Sequence, residues 1–139
     1  MSGAETRYPG GCLCGALRYV VDGAPLYMGL CYCADCRKAS GSGFIPFIGV
    51  ASTGIHVTGA TRSFASRSAS GTDAVRNFCA VCGSLVFGGV VGKDTSHTIY
   101  AGTLDDPTLF EPSIAIFARG RPAWAIIPPG LTVYQAMPS

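Results

Sequence analysis

The segment Cys31-Tyr32-Cys33-Ala34-Asp35-Cys36-Arg37-Lys38 places three cysteines within six residues and follows them with two cations. Three sulfurs from so short a segment can converge on one metal ion, and a tetrahedral zinc then keeps one of its four positions open. The alternative is that these cysteines are buried as small hydrophobic residues, but packing alone does not require this C-x-C-x-x-C spacing. The segment therefore predicts an open three-sulfur metal site formed by Cys31, Cys33 and Cys36.

The two cations after the third cysteine fit the same prediction. Positive charge near a thiol favours the thiolate, which is the form that binds metals and attacks carbon. A solvated turn is the alternative reading of Arg37 and Lys38. The following Ala39-Ser40-Gly41-Ser42-Gly43 is rich in glycine and serine, so we expect it to be a loop and not part of a helix begun at Ala34.

Two further cysteine pairs lie on either side of this segment. Cys12 and Cys14 form a C-x-C pair flanked by glycines, and Cys79 and Cys82 form a C-x-x-C pair followed by Gly83. The second pair is typical of zinc ribbons. A thioredoxin-like redox pair is the rival, but the chain lacks the βαβ pattern that such a pair accompanies.

All seven cysteines are used if the pairs join each other. Cys12, Cys14, Cys79 and Cys82 then form a closed four-sulfur site, whereas joining one pair to the triplet would put five sulfurs on one ion, which suits zinc poorly. We do not expect a histidine among the ligands. His56 alternates with Ile55 and Val57 and should face solvent, and His97 lies among Thr and Ser.

Length and composition predict one folded domain spanning residues 1–139, with 48% hydrophobic and 13% charged residues. Ten basic and eight acidic residues are scattered along the chain, which argues against a nucleic-acid or membrane-surface partner. The N-terminus lacks the pattern of a secretion signal, and the odd number of cysteines argues against a disulfide framework. We therefore expect a protein of a reducing, cytoplasmic compartment. The sequence does not indicate an oligomeric state.

The pattern of short apolar runs between turn residues predicts a mainly β fold of short antiparallel strands with very little helix. Nineteen glycines and nine prolines fit many strands joined by tight turns. The predicted strands are Ala16–Val21, Phe44–Val50, Ile55–Thr58, Arg62–Ser66, Val75–Phe78, Leu85–Val91, Thr98–Ala101, Ile114–Ala118 and Leu131–Tyr134.

With these motifs the chain resembles the glutathione-dependent formaldehyde-activating family, whose domain is similar to that of centromere protein V. The matching segments are Gly11-Cys12-Leu13-Cys14-Gly15-Ala16, Cys31 to Gly41, Phe78 to Ser84, and Gly102-Thr103-Leu104-Asp105-Asp106-Pro107. The resemblance implies a zinc-bearing β-tent fold with two zinc ions per chain, one structural in the four-cysteine site and one exchangeable in the three-cysteine site. Many family members have histidine where this chain has Tyr32 and Ala115.

The resemblance also implies an activity, that of a carbon–sulfur lyase that adds glutathione to formaldehyde to give S-hydroxymethylglutathione. On this reading Cys31, Cys33 and Cys36 form the catalytic site, and Arg37 and Lys38 are our candidates for binding the carboxylates of glutathione. Three thiolates make zinc electron-rich, so the site is better suited to presenting a sulfur nucleophile than to activating water. Two other functions remain open, a thiol-binding carrier that accelerates nothing and a structural zinc module for interactions with other molecules.

Overall fold

A computed structural model describes residues 7–68 and 71–138 of the chain. Met1 to Thr6, on which most of the prediction about a secretion signal rests, lie outside the described residues. The described part contains eleven β-strands and one α-helix. The strands are β1 (Arg7–Gly11), β2 (Arg18–Asp22), β3 (Tyr27–Cys31), β4 (Ile45–Ala51), β5 (Ile55–Thr58), β6 (Thr61–Arg67), β7 (Asp73–Cys79), β8 (Leu85–Gly88), β9 (Ser96–Tyr100), β10 (Ile114–Ile116) and β11 (Thr132–Val133), and the helix is α1 (Ala34–Ser40).

The strands form two sheets, which confirms the predicted mainly β class. Three strands form one sheet in the order β1-β2-β5, and the other eight form a second sheet in the order β11-β10-β3-β4-β9-β8-β7-β6. All pairings are antiparallel except those of β10, which runs parallel to β3 and to β11. Parallel neighbouring strands are joined by long connections and not by hairpins. The pattern of short apolar runs and turns therefore predicted antiparallel strands and did not indicate the parallel pairings of β10.

Each of the nine predicted runs overlaps a strand, but β1 and β3 were not predicted. The strand β1 includes Pro9 and ends in two glycines, and these residues are unfavourable in strands. They are tolerated here because β1 lies at the edge of a sheet. β3 leads directly into the three-cysteine segment and contains Gly29, which weakens the strand pattern. A Cβ at Gly29 would lie 2.6 Å from the Ile114 side chain, so glycine is needed there for close strand packing.

The helix α1 extends further than the sequence predicted. Ala39 and Ser40 belong to it, and the loop begins only at Gly41, which has the left-handed φ of 70° and whose N–H donates to the Arg37 carbonyl. Cys33 caps the N-terminus by accepting from the Cys36 N–H, and the Ser40 hydroxyl donates to the Cys36 carbonyl at 2.8 Å. Both ends of the seven-residue helix are therefore satisfied locally despite its serine and glycine content.

The main core joins side chains from both sheets. It includes Tyr19 and Val21 from β2 together with Ile48, Phe87 and Ile99 from the larger sheet. Cys12 and Cys79 belong to the same cluster, so the core borders the four-cysteine group. In the described part of the chain, no helix is long and apolar enough to span a membrane.

Candidate metal centres

The four cysteines of the predicted closed site lie together in the structure. The sulfurs of Cys12, Cys14, Cys79 and Cys82 lie within 4.8 Å of one another. The Cys14 sulfur is 3.7 Å from that of Cys12 and 3.7 Å from that of Cys79. Four sulfurs placed tetrahedrally at ~2.3 Å from a zinc ion are ~3.8 Å apart, so the geometry fits a zinc ion.

Local backbone geometry holds these sulfurs in place. The Leu17 N–H donates to the Cys12 sulfur at 3.2 Å, and the Val81 N–H donates to the Cys79 sulfur at 3.3 Å. Such N–H groups stabilise thiolates. Each cysteine pair is followed by a glycine with a left-handed backbone, Gly15 at φ 85° and Gly83 at φ 77°, which lets the chain turn away without a side-chain clash.

Ser84 links the two pairs to each other. Its hydroxyl accepts from the Leu13 N–H at 3.2 Å and lies 3.1 Å from the Cys82 sulfur. The hydrogen bond from the Ser84 side chain lowers the pKa of Cys82 to about 5. Cys82 is therefore held as a thiolate at neutral pH, the form that binds metal.

The three cysteines of the predicted open site form a second cluster. The sulfurs of Cys31, Cys33 and Cys36 also lie within 4.8 Å of one another, with Cys31 at the end of β3, Cys33 capping α1 and Cys36 in its first turns. Hydrogen bonds from Cys31 and Cys36 lower the pKa of Cys33 to about 2, whereas hydrogen bonds with Cys33 and Cys36 raise the pKa of Cys31. Among the described residues, no histidine, aspartate or glutamate joins either cluster.

The three-cysteine cluster opens into a cavity. Cys31 and Cys36 line a cavity of about 460 Å³ whose walls are largely apolar, with Tyr27 and Phe47 among them. This volume lies within the range of typical small-molecule sites. The cavity leaves space beside the sulfurs of Cys31 and Cys36 for a ligand.

Arg76 is a cation that contacts this cluster. It lines the cavity, and its Nη2 is 4.0 Å from the Cys36 sulfur, while its Nη1 is 3.4 Å from the Ser66 hydroxyl. No carboxylate of the described residues pairs with it. Burial lowers the pKa of Arg76, but its interactions with Tyr100 and with the Cys36 thiol outweigh burial and raise that pKa. The guanidinium is therefore a fixed positive charge beside the thiols.

Tyr100 lines the cavity on the same side. Burial raises the pKa of its phenol, and the nearby Arg76 charge only partly offsets that rise. The hydroxyl is thus neutral at physiological pH and available as a hydrogen-bond donor. Neither Arg76 nor Tyr100 was singled out from the sequence, because each lies in an ordinary strand pattern and only the pairing of distant strands brings them to the cysteines.

The two cations predicted from the sequence lie elsewhere. Arg37 is half-buried and Lys38 exposed on α1, and neither lines the cavity. Their role as carboxylate ligands remains a prediction. His56 is exposed and lies 3.7 Å from the Asp22 carboxylate. His97 is buried, lines the cavity, and its Nδ1 is 3.1 Å from the Gly88 carbonyl.

Tyr32 and Ala115 both lie in a small core cluster away from the cavity. Each is fully buried, and they pack with Leu30 and Ala125. The Tyr32 hydroxyl donates to the Ile126 carbonyl at 2.8 Å. Side chains alternate along β3 and β10, so Cys31 and Ile116 face the cavity while these two residues face the opposite side. The Tyr32 hydroxyl is therefore a packing group, with no access to the three sulfurs.

Comparisons with known proteins agree with this picture. Residues 7–120 match the family described as "Glutathione-dependent formaldehyde-activating enzyme". Among solved structures, the crystal structure of a Rhodobacter sphaeroides protein, a structural genomics target, superimposes with a TM-score of 0.54. That protein is 17% identical, and the match covers 91% of this chain and 98% of that chain, so it shows the fold alone. No curated protein gave a significant sequence match.

Proposed function

Because the chain belongs to the glutathione-dependent formaldehyde-activating family, we propose that it is a carbon–sulfur lyase. It joins a small thiol, such as glutathione, to a small aldehyde, such as formaldehyde, and cleaves the adduct in the reverse direction. The observation that carries this proposal is the contrast between the clusters. Cys31 and Cys36 of the three-cysteine cluster line the 460 Å³ cavity, and no residue of the four-cysteine cluster lines that cavity.

The proposal gives the two clusters different roles. Cys12, Cys14, Cys79 and Cys82 hold a structural zinc, and Cys31, Cys33 and Cys36 hold an exchangeable one. Zinc at the open site, when bound, lowers the pKa of a thiol and so supplies a thiolate at neutral pH. The three cysteines fix the position of the metal, and the cavity beside them determines on which side the sulfur of the substrate thiol lies.

The other residues of the cavity shape the reaction. Arg76 lies beside Cys36, and its positive charge partly offsets the negative charge of the three cysteine thiolates. This lowers the electrostatic repulsion that a fourth thiolate, that of the substrate, meets at the same site. The apolar walls exclude water from the thiol and the aldehyde. Arg37, which is half-buried on α1, and Lys38, which is exposed on it, are proposed to bind the carboxylates of a thiol whose tail extends out of the cavity.

The test is turnover of the zinc-loaded protein with glutathione and formaldehyde. Because the two compounds also combine spontaneously, the exchange rate between them and the adduct should be measured by NMR against a buffer blank. We expect an exchange rate well above the blank for the native protein and equal to the blank for Cys33→Ser. Glutathione binding without any acceleration would identify a carrier and contradict the lyase proposal.

A further inference from the structure

Two hydrogen-bond donors line the cavity on the side of the three-cysteine cluster. They are the hydroxyl of Tyr100, at the end of β9, and the guanidinium of Arg76, in β7. The strand β8 lies between β7 and β9 in the sheet. Side chains two strands apart do not usually meet, so the position of the Tyr100 hydroxyl depends on what β8 presents between them.

Gly88 is the residue of β8 that allows the two donors to approach each other. It pairs with Arg76 across β7 and β8, and paired residues of neighbouring strands project on the same face of a sheet. A Cβ at Gly88 would lie 3.0 Å from the Tyr100 hydroxyl oxygen. The hydroxyl therefore fills the space above Gly88, on the face to which the Arg76 side chain projects.

Both donors have hydrogen-bonding capacity that the protein does not use. The Tyr100 hydroxyl has no hydrogen-bond partner in residues 7–68 and 71–138. Every fully buried side-chain nitrogen or oxygen of these residues has a partner, so this hydroxyl is not fully buried, and it is open to the cavity that Tyr100 lines. In the part of the chain that the structure describes, the Arg76 side chain has two hydrogen-bond partners, the Ser66 hydroxyl at 3.4 Å and the Cys36 sulfur at 4.0 Å. The guanidinium carries five N–H donors, so several of them remain free.

We propose that Tyr100 and Arg76 form an oxyanion site that binds the carbonyl oxygen of the electrophile, with Tyr100 as its proton donor. This inference rests on the proposed thiol addition. The sulfur's electron pair forms the carbon–sulfur bond, the π pair of the carbonyl moves onto oxygen, and the Tyr100 hydroxyl donates its proton to that oxygen. The tyrosinate regains a proton from water, and the proton lost by the thiol goes to solvent, so the step balances.

The two donors fit a carbonyl oxygen because of their location and charge. They lie on the side of the cavity where Arg76 contacts Cys36, so an oxygen bound there places its carbon near a sulfur held by the three cysteines. A fixed donor and a fixed positive charge stabilise an oxygen that becomes negative during the reaction more than they stabilise a neutral carbonyl. Arg76 also stabilises the transient tyrosinate.

The first test removes the hydroxyl and keeps the ring. Tyr100→Phe should lower kcat of the zinc-loaded protein by about 100-fold, the effect of losing a positioned proton donor, with the KM for the thiol unchanged. Tyr134→Phe is the matched control, since Tyr134 packs against the hydrophobic cluster of Cys31, Phe47 and Ile116 but does not line the cavity, and it should keep the native rate. A native rate for Tyr100→Phe would overturn the inference and leave the proposed lyase function intact.

The second test needs no turnover. Calorimetry on the zinc-loaded protein compares 2-mercaptoethanol, whose hydroxyl stands near the position of the adduct oxygen, with 1-propanethiol, which has the same size and no oxygen. The ratio of their affinities should fall by about 3- to 10-fold in Tyr100→Phe, the range for losing one hydrogen bond, and stay unchanged in Tyr134→Phe. An unchanged ratio in Tyr100→Phe would overturn the inference.

Further outcomes of the binding test separate the remaining possibilities. If Tyr100→Phe and Arg76→Gln weaken 3-mercaptopropionate but leave the ratio for 2-mercaptoethanol unchanged, the donors bind a carboxylate and the inference is wrong. If the ratio depends on Tyr100 while the native protein shows no turnover, the oxyanion site stands and the lyase function fails. If neither thiol binds to zinc-loaded native protein, both proposals are wrong.

Discussion

The two cysteine clusters draw on the chain in different ways. Cys12 and Cys14 follow β1 of the smaller sheet, and Cys79 ends β7 of the larger one, with Cys14 and Cys79 separated by 65 positions. A metal there connects the two sheets. Cys31, Cys33 and Cys36 instead lie within six residues of one strand–helix connection, so a metal there restrains little else. Both clusters consist of cysteines, but a metal would restrain the fold to a different extent in each. The sequence separation of the ligands determines how much of the fold such a metal holds.

The largest expected effect is the loss of stability in Cys79→Ser. Structural zinc sites contribute ~10–16 kcal/mol in finger peptides, which is comparable to the ~5–15 kcal/mol of a whole domain. We therefore expect this variant to be unfolded at neutral pH, as measured by circular dichroism and heat denaturation with zinc counted per chain. Native stability of Cys79→Ser would mean that the four-cysteine site does not hold the sheets together.

Cys33→Ser should lower stability by only ~1–3 kcal/mol, an ordinary effect for a single substitution. Serine preserves the N-cap that Cys33 provides to α1 through the Cys36 N–H at 3.2 Å. The variant should stay folded, retain about one zinc per chain and lose activity. If it unfolds as completely as Cys79→Ser, the division into a structural and a functional site is wrong.

The open site should also show itself in the pH dependence of thiol binding. A thiol must lose its proton to bind a metal, so below the pKa of the free thiol the affinity should rise about tenfold per pH unit. Calorimetry in buffers of different ionisation enthalpy should detect one proton released per glutathione bound. S-methylglutathione offers no thiolate and should bind far more weakly, and equal binding of the two would exclude direct binding through sulfur.

The smallest effect concerns the backbone of the four-cysteine site. Gly83 has a φ of 77° with open space around its Cβ position, so Gly83→Ala should cost ~1–2 kcal/mol from the left-handed backbone alone. Gly102→Ala is the matched control, because Gly102 also has open space but no positive φ. Heat denaturation compares them. Complete unfolding of Gly83→Ala would show that the stability of this region depends on its backbone geometry and not on the metal.

The grouping of the cysteines could be read from the sequence because it follows from spacing and ligand number. Both groups lie together in the structure as predicted. Most strands could be read as well, since alternation of apolar residues is a local property. The strand β1 could not be predicted, because Pro9 and the glycines of β1 are compatible with a strand only at the edge of a sheet. Which strand lies at an edge depends on the order of all the strands.

The cavity residues could not be predicted because they depend on strand order and register. Arg76 pairs with Gly88, and the Tyr100 hydroxyl lies over the Gly88 position, so both side chains reach the same cavity. Tyr32 is another case: its hydroxyl reaches the carbonyl of Ile126, 94 positions away. No local pattern indicates which distant backbone group such a side chain will contact.

The separation of the ligands along the chain also determines which cysteine cluster is completed first during synthesis. A ribosome adds about 5–20 residues per second, so Cys79 is made roughly 3–13 s after Cys14, which lies 65 positions earlier. The three-cysteine cluster is complete as soon as Cys36 is made. A metal that binds during synthesis can therefore enter the three-cysteine cluster first, and a metal that connects the two sheets through the four-cysteine cluster can bind only later.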